Sequence, residues 1–591
     1  MIRAGGNLKR ISHLKEFKES IINFIVKIRL IMSKIKIMIF SIMTLIKELI
    51  FDSSNFLYLI FIFVLTYISQ FYFRYFTRQH PIPGPIPFPL IGNFETYRPN
   101  SSQWAKELQR KYGDIFEVYL GGLFTLNNRQ IWISNANLTN KLLSPYTNNN
   151  FPYRTTENEG LDKMDMTSKG IVFNRNVDNW AYNRRIVAQV LMAPKFLKKA
   201  VKNTQELFSE MEKYWEKLGY LNDAKGQEIE LNLANWMTRF MTDSVFNLTT
   251  NTKSYALLNY YHTFNNLNKD EKESNNDHQL LKESEKFVSY IRLHFVACVF
   301  FKDTPKLLRT IVPANRKKSR ELLDVVAWLN KKVLELIKER KKEIEKAEPD
   351  EELSADMLTL LLTINTNRDP KYVKTTDENK LIDVRPMSED EVRENVYEIM
   401  GGGIDTTANT FCYVVYYLTH YPEVRQKMLQ EIEKIFGKDT NREITYEDIN
   451  KLNYCGAIIK EVSRIMPTVS VLFRVSAKPD EIADYKFPAN TQFMINIPAI
   501  QMHPSHWNQP EKFDPDRFMN DEQQIPKNAL LYFGGGARVC MGKQLAILQL
   551  KALMVLLYRK YDVELVDMSG DCNLEKLLPH LGASQLCRSP V

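Results

Sequence analysis

Cysteine is scarce in this chain: Cys298, Cys412, Cys455, Cys540, Cys572 and Cys587 are the six in 591 residues. None forms a Cys-x-x-Cys pair, so no zinc-type spacing is present, and so few thiols in so long a chain make no disulfide framework. A reducing, cytosol-like environment fits that usage. No Gly-x-Gly-x-x-Gly follows a strand pattern, which excludes a built-in dinucleotide fingerprint. Beyond the N-terminal region there is no repeat, long low-complexity tract or linker. The length alone favours several domains at ~150 residues each, yet one large domain is the simpler organisation. No sign of charge dominates, since 79 Lys and Arg against 70 Asp and Glu leave +9. The basic runs Arg316-Lys317-Lys318 and Lys341-Lys342 lie in Glu-interleaved helical sequence and read as solvated faces, with no nucleic-acid motif beside them. A modestly basic surface suits an acidic protein partner and an anionic membrane equally. The content that is present, 44% apolar with 12% aromatic, is ample for a core.

Charge is missing altogether from Ser53–Phe73, a run of 21 residues rich in Phe, Leu, Ile and Tyr. A helix needs about 20 apolar residues to cross a bilayer, so this stretch is expected to be a transmembrane anchor. A signal peptide fits poorly, because the run is too long and starts some way into the chain. A buried core helix fits poorly too, since the run lacks a polar face. The shorter run Ile37–Ile46, between Lys36 and Lys47, is too short to span, and residues 1–52 form a basic extension whose retention stays open. Lys34, Lys36 and Lys47 on one side and Arg74 and Arg78 on the other do not fix an orientation. Residues 74–92 contain Pro81-Ile82-Pro83-Gly84-Pro85-Ile86-Pro87-Phe88-Pro89. Alternate prolines hold a stiff, extended backbone, so this is expected to be a rigid hinge between the anchor and a domain over 93–591.

The most informative stretch is Phe533-Gly-Gly-Gly-Ala-Arg-Val-Cys-Met-Gly542. It sets Cys540 just before an apolar helical pattern over Gln544–Tyr558. Unpaired N–H groups and the helix dipole at such a junction favour the thiolate, the metal-ligating form. Gly534, Gly535 and Gly536 allow a sharp bend and a close approach to a flat, bulky group. Arg538 offers a forked cation suited to a carboxylate. The bland alternative is a glycine-rich turn around a structural cysteine. Against it, Phe533, Gly536, Arg538, Cys540 and Gly542 fill every fixed position of Phe-x-x-Gly-x-Arg-x-Cys-x-Gly, and in this the chain resembles the cytochrome P450 superfamily of haem-thiolate monooxygenases.

Other landmarks of that family stand in the expected order. Trp180 and Arg184 are four apart on one helix face; as a bare pair they are surface packing, whereas the resemblance makes them haem-facing, with Arg184 on a propionate and Arg185 a less certain neighbour. Ser388 and Glu391 form a capping box that opens a helix reaching Pro422. Inside it lies Gly401-Gly402-Gly403-Ile404-Asp405-Thr406-Thr407, and glycine costs a helix interior about 1 kcal/mol against alanine, so three in a row need a reason. One reading is a kinked helix with Thr406 bonded to its own preceding turn. The other is the family's oxygen-activation segment at Gly402, Gly403, Ile404, Asp405 and Thr406, in which an acid and an alcohol pass protons toward bound oxygen. Gly401 departs from the usual pattern. Glu461 and Arg464 taken alone are a surface pair worth under ~1 kcal/mol; in the family they join a second arginine, here Arg517 of Phe513-Asp514-Pro515-Asp516-Arg517-Phe518, in a buried network. Arg474 occupies the place of another propionate-binding arginine, after a pocket-lining stretch Pro467–Phe473. His503 and His506 are read as structural.

Elsewhere, Ile115–Leu120 and Phe124–Leu126 read as a hairpin with Ile131–Ser134 a further strand. Asn148–Asn174 reads as a long loop over the site, and Phe196–Glu348 as amphipathic helices in which Phe295–Phe301 is read as core, with a membrane-facing lip that admits lipophilic substrate as the alternative. The resemblance implies a mostly α fold with a small β-sheet region, the P450 fold, preceded by an N-terminal transmembrane helix. It implies haem b ligated through iron by Cys540, and cofactor contacts at Trp180, Arg184, Gly402, Gly403, Arg474, Phe533, Gly536, Arg538, Cys540 and Gly542. Catalysis falls to Asp405 and Thr406. The reaction is insertion of one oxygen atom from O2 into a lipophilic substrate, with NADPH electrons from a separate NADPH–cytochrome P450 reductase and cytochrome b5 as a second donor. The location implied is the endoplasmic reticulum membrane, single-pass, catalytic domain cytosolic, where the sequons at Asn100, Asn137 and Asn247 escape glycosylation. Two rivals stay open: a reductase-independent isomerase or lyase of the same family, and a non-catalytic haem sensor. Substrate contacts are sought in Asn148–Asn174, Leu207–Phe301, Asn395–Gly402, Thr468–Phe473 and Leu581–Leu586.

Overall fold

The computed structural model describes residues 53–78, 81–89, 91–93, 102–120, 129–145, 149–218, 231–265, 275–348, 351–366, 368–369, 385–519, 525–565 and 586–588, with a few isolated positions between 33 and 44. Helix α1, Ser53–Phe76, stands in a compact unit of its own. It runs three residues past the charge-free stretch, and Leu57–Phe76 is long and apolar enough to cross a membrane. Leu57, Phe61, Ile62 and Leu65 are each more than half exposed.

The second unit begins at Ile82 and is built on a four-stranded sheet beside a large helical body. Strand β1 (Ile115–Tyr119) pairs antiparallel with β2 (Arg129–Ile133), Ile115 opposite Ile133. The expected hairpin therefore finds its second strand at the segment predicted as the third one, while Phe124–Leu126 lies outside the described residues. After a long excursion the chain returns as β3 (Val471–Val475) and β4 (Gln492–Asn496). Strand β4 lies between β2, parallel to it, and β3, antiparallel. Ile131, Ile133, Phe493 and Ile495 bury one face of this sheet; Phe116, Trp132 and Met494 bury the other.

The proline-rich stretch is less of a free spacer than its sequence suggests. Pro83 O accepts from Glu117 N at 2.8 Å, Ile82 is buried, and Asn93 bonds Pro85 O and Ile86 O. The extended backbone that alternate prolines enforce lies along β1, and a Cβ at Gly84 would stand 2.2 Å from Glu117 O.

Of the helices, α2 (Ser102–Tyr112) borders the sheet, and α3 (Val177–Leu191), α4 (Pro194–Lys217), α5 (Leu233–Thr250), α6 (Asn275–Asp303), α7 (Pro313–Lys346), α8 (Glu389–His420), α9 (Asn453–Ile465) and α10 (Lys543–Tyr558) make the body. Helix α8 is its axis. Both bonds of its capping box are present, Ser388 Oγ accepting from Glu391 N and Glu391 Oε2 from Ser388 N, and Pro422 starts the next helix just beyond its end. Val396, Met400, Ile404 and Phe411 of α8 share a core with Trp236, Phe240 and Met241 of α5 and with Leu553 of α10. The stretch Phe295–Phe301, expected in the core, is divided: Ala297, Phe300 and Phe301 are buried, but Phe295, Val296 and Val299 are 41%, 41% and 47% exposed.

Candidate functional site

Two hydrogen bonds close the glycine-rich loop, Gly534 N to Leu531 O at 2.7 Å and Cys540 N to Phe533 O at 2.9 Å. Gly536 makes the bend possible. Its φ is +68°, and a Cβ would stand 2.7 Å from the Leu143 carbonyl and 2.8 Å from Ser144 O. Ala537 N is thereby brought within 3.1 Å of Ser144 O. Helix α10 begins at Lys543 with Gly542 as its cap. Burial pushes the Cys540 thiol pKa up, and the Gly542 N–H, Arg154, Arg184 and Lys543 pull it back toward the thiolate. Cys540 nonetheless keeps accessible surface. Phe533 packs against Tyr532, ring centroids 4.7 Å apart.

Four arginines gather around this loop. Arg538 donates to Pro152 O, Ile171 O, Val172 O and Asn174 O, and its guanidinium lies 4.0 Å from the Trp180 ring centroid. Arg184, one helical turn on from Trp180 in α3, donates to Val539 O at 2.7 Å. Arg474, on β3, donates to Gly535 O at 3.1 Å, and Arg154 to Arg538 O at 2.9 Å. Every acceptor named here is a neutral carbonyl. Burial first, and then the other arginines, push the pKa of Arg538 down to about 8 and that of Arg474 down to about 9. Burial and Arg154 hold Arg184 near 10. A guanidinium does not give up its proton, so the cluster favours an anion beside it. Glu398 is the carboxylate that offsets Arg154 and Arg538, and one carboxylate does not balance four cations. Arg154, Phe473 and Arg474 also line a narrow cleft with Leu120, Thr155 and Asn158.

The glycines of α8 differ in what they face. A Cβ on Gly402 would meet nothing within 4 Å, whereas one on Gly403 would stand 3.1 Å from Val245 of α5 and one on Gly401 3.8 Å from Phe295. Gly402 is thus an exposed position in the middle of a largely buried helix, and Gly403 belongs to the α5–α8 packing. Thr406 Oγ1 donates to Gly402 O at 2.7 Å, the bond to its own preceding turn that the sequence left open. Asp405 turns to Arg292 of α6, Nε to Oδ1 3.5 Å; burial raises its pKa against that pairing.

The triad is assembled and buried. Arg464 grips Glu461 with two bonds, 2.8 and 2.9 Å, Arg517 adds a third at 3.1 Å, and Asp514 N a fourth at 2.9 Å. Trp507 lies between the arginines, 5.1 Å from Arg464 and 5.9 Å from Arg517. His503 bonds Asp114 and His506 accepts from Ala136 N, so both are structural ties. Arg154, Arg292 and Glu398 were not foreseen: the first sits in a loop without periodicity, and the others look like ordinary helix-surface charges. Of the tail expected to meet substrate, residues 581–585 lie outside the described residues.

A flat anionic group fits this site on three counts: arginines whose acceptors are neutral carbonyls, the open Gly402 turn, and the accessible thiol of Cys540. Among the described residues no three His, Cys, Asp or Glu side chains cluster to hold a metal ion.

A family model described as Cytochrome P450 matches residues 82–582. Cytochrome P450 4d2 of Drosophila melanogaster is 33% identical over 31% of this chain and 36% of its own length. Steroid 17-alpha-hydroxylase/17,20 lyase of Squalus acanthias is 28% identical over 39% of this chain and 44% of its own. These matches span under half of either relative. (+)-Vincadifformine 19-hydroxylase of Catharanthus roseus is 24% identical over 84% of this chain and 89% of its own. The haem domain of cytochrome P450DA superposes with a TM-score of 0.65 at 18% identity, covering 86% of this chain and 97% of that one.

Proposed function

The chain belongs to the cytochrome P450 family, and from that premise we propose that it is a haem-thiolate monooxygenase acting on a lipophilic substrate. The observation that carries this reading is the set of four arginines bonded to neutral carbonyls, Arg474 and Arg538 buried and Arg154 and Arg184 half-buried, beside the accessible thiol of Cys540. Arg154, Arg184, Arg474 and Arg538 would hold the haem propionates, Trp180 would back Arg538, and Cys540 would ligate the iron. Bound haem supplies one-electron and oxygen chemistry, with a thiolate ligand favouring O–O cleavage.

The protein's part is to move protons and exclude water. Arg292 fixes the Asp405 carboxyl, and burial inclines that carboxyl toward its protonated form. The Thr406 hydroxyl is parked on Gly402 O; rotation about its side chain frees the oxygen to accept a proton from one side and donate on the other. Gly402, without a side chain, leaves room for this beside the helix. The distal acid and alcohol favour a monooxygenase over a reductase-independent isomerase or lyase. Electrons come from a separate NADPH-dependent reductase, helix α1 anchors the protein in the endoplasmic reticulum, and the second unit faces the cytosol.

The reduced, carbon-monoxide-bound spectrum tests the reading. A red-shifted Soret band of thiolate type that Cys540→Ala abolishes is expected; a histidine-type band in the wild type, or no haem, overturns it. Substrate-dependent NADPH consumption with added reductase then separates the monooxygenase from a peroxide isomerase.

A further inference from the structure

Helix α8 carries a carboxylate that proton delivery does not use. Glu398 lies one turn before Gly402 and on the same face. Its Oε2 accepts from Ile171 N at 2.6 Å, and its two oxygens share Val172 N at 3.1 Å. The loop is shaped for this contact: Gly170 has φ +60°, and a Cβ there would stand 2.5 Å from Glu398 Oε2. The carbonyls of the same two residues point the other way. Ile171 O accepts from Trp180 Nε1 at 3.1 Å and from Arg538 Nη1 at 3.3 Å, and Val172 O takes the same Arg538 nitrogen at 3.4 Å. Asn174 continues the pattern, its side chain donating to Gly170 O and its carbonyl accepting from Arg538 Nη2. A two-residue stretch of backbone thus separates a carboxylate on α8 from the arginine and tryptophan beside Cys540.

We propose that Glu398 is a positioning residue for the anionic cofactor: a strut from α8 that fixes residues 170–174, and through their carbonyls aims Arg538 and Trp180, while setting a carboxylate beside the arginine cluster. The inference rests on the haem reading above. Asn395–Gly402 was expected to meet substrate; Glu398 is instead claimed by the loop. The electrostatics agree, since burial lifts its pKa to about 7 while the two backbone N–H groups, Arg154 and Arg538 pull toward the anion.

The test uses the full-length holoprotein. Glu398→Gln keeps the shape but loses the charge and one of the acceptors; Glu398→Asp keeps the charge but not the reach. The readouts are haem transfer to excess apomyoglobin and the midpoint potential. Loss of an outer partner of a bound metal group costs roughly 10- to 100-fold in retention, and faster transfer of that order is expected for Glu398→Gln, with a potential shifted positive because a nearby negative charge is gone. Glu398→Asp should lose haem faster yet keep a potential near the wild type. In combination with Arg538→Lys, Glu398→Gln should add little to the loss rate, because it acts through that arginine. Wild-type retention and potential in Glu398→Gln, with the thiolate band intact, overturn the proposal. So do effects that add fully to those of Arg538→Lys. Should Glu398→Gln not fold, Gly170→Ala carries the same question, and wild-type haem retention in it is equally fatal. A wild type without the thiolate band removes the haem reading itself, and the proposal with it; an intact band with an indifferent Glu398 removes the proposal alone.

Discussion

At the scale of single residues, the loop around Cys540 shows how one glycine is dictated by backbone and another by open space. Gly536 combines a positive φ with backbone atoms 2.7 Å from any Cβ, so neither rotamer change nor side-chain movement can relieve a substitution. Gly536→Ala is expected to cost about 2–3 kcal/mol, the strain of a disallowed backbone plus the clash. Gly402 is helical and faces nothing within 4 Å, so Gly402→Ala should leave the fold intact and stabilise it by up to ~1 kcal/mol. Gly403→Ala, pressed on Val245, should not share that gain. Urea unfolding of the three variants ranks them, and destabilisation by Gly402→Ala as large as by Gly536→Ala would contradict the assignment. Cys540, Arg538, Gly536, Trp180 and Arg184 stand on positions that the family resemblance singled out, and the fold brings them together around one loop. Arg154 and Glu398 were not legible. Their roles depend on which backbone carbonyl or N–H they meet across the fold, and no local pattern encodes that.

At the scale of elements, the triad turns a helix into a clamp. Glu461 and Arg464 are three apart on α9, and both side chains have no accessible surface. Their sequence context is indistinguishable from a surface pair, so the resemblance, not the spacing, pointed to burial. Arg517 and Asp514 N bring the Phe513–Phe518 segment onto the same carboxylate. Removing one member leaves charge stranded in the core, which costs about 3–5 kcal/mol. Glu461→Gln should lose most of that and yield little folded protein, whereas adding Glu461→Gln to Arg464→Met should cost far less than the sum of the two. Full additivity in chemical unfolding would mean the pair does not act as a unit. The sheet shows the opposite limit of legibility. The strands at Ile115 and Ile131 were readable from composition, but their pairing with each other depends on connections whose residues carry no register signal.

At the scale of the whole molecule, acids on α8 set opposing limits on stability against pH. Glu391 is buried, yet two bonds from Arg385 at 2.7 and 2.6 Å, the Ser388 N–H and Asn179 outweigh that burial and hold its pKa near 2. An unfolded glutamate titrates near ~4.3, so the folded state binds fewer protons between these values. The stability Glu391 contributes is complete above pH ~4.3 and is lost as pH falls toward 2. Glu394, one turn on, has the reverse sign. Burial first and the Glu398 carboxylate next lift it to about 9, against the pull of Arg393. Here the folded state binds more protons, so stability is complete below ~4.3 and declines as pH rises toward 9. Two substitutions separate the limbs in urea midpoints taken from pH 3 to 9. Glu394→Gln should gain on the wild type steadily from pH 5 to 9 and match it near pH 4. Glu391→Gln should lie below the wild type at every pH above 5 and approach it toward pH 3. Parallel curves for all three proteins would mean that neither acid titrates with folding. A gain by Glu394→Gln on the acid side would mean that its carboxylate, and not its acid, is the form the fold was built around.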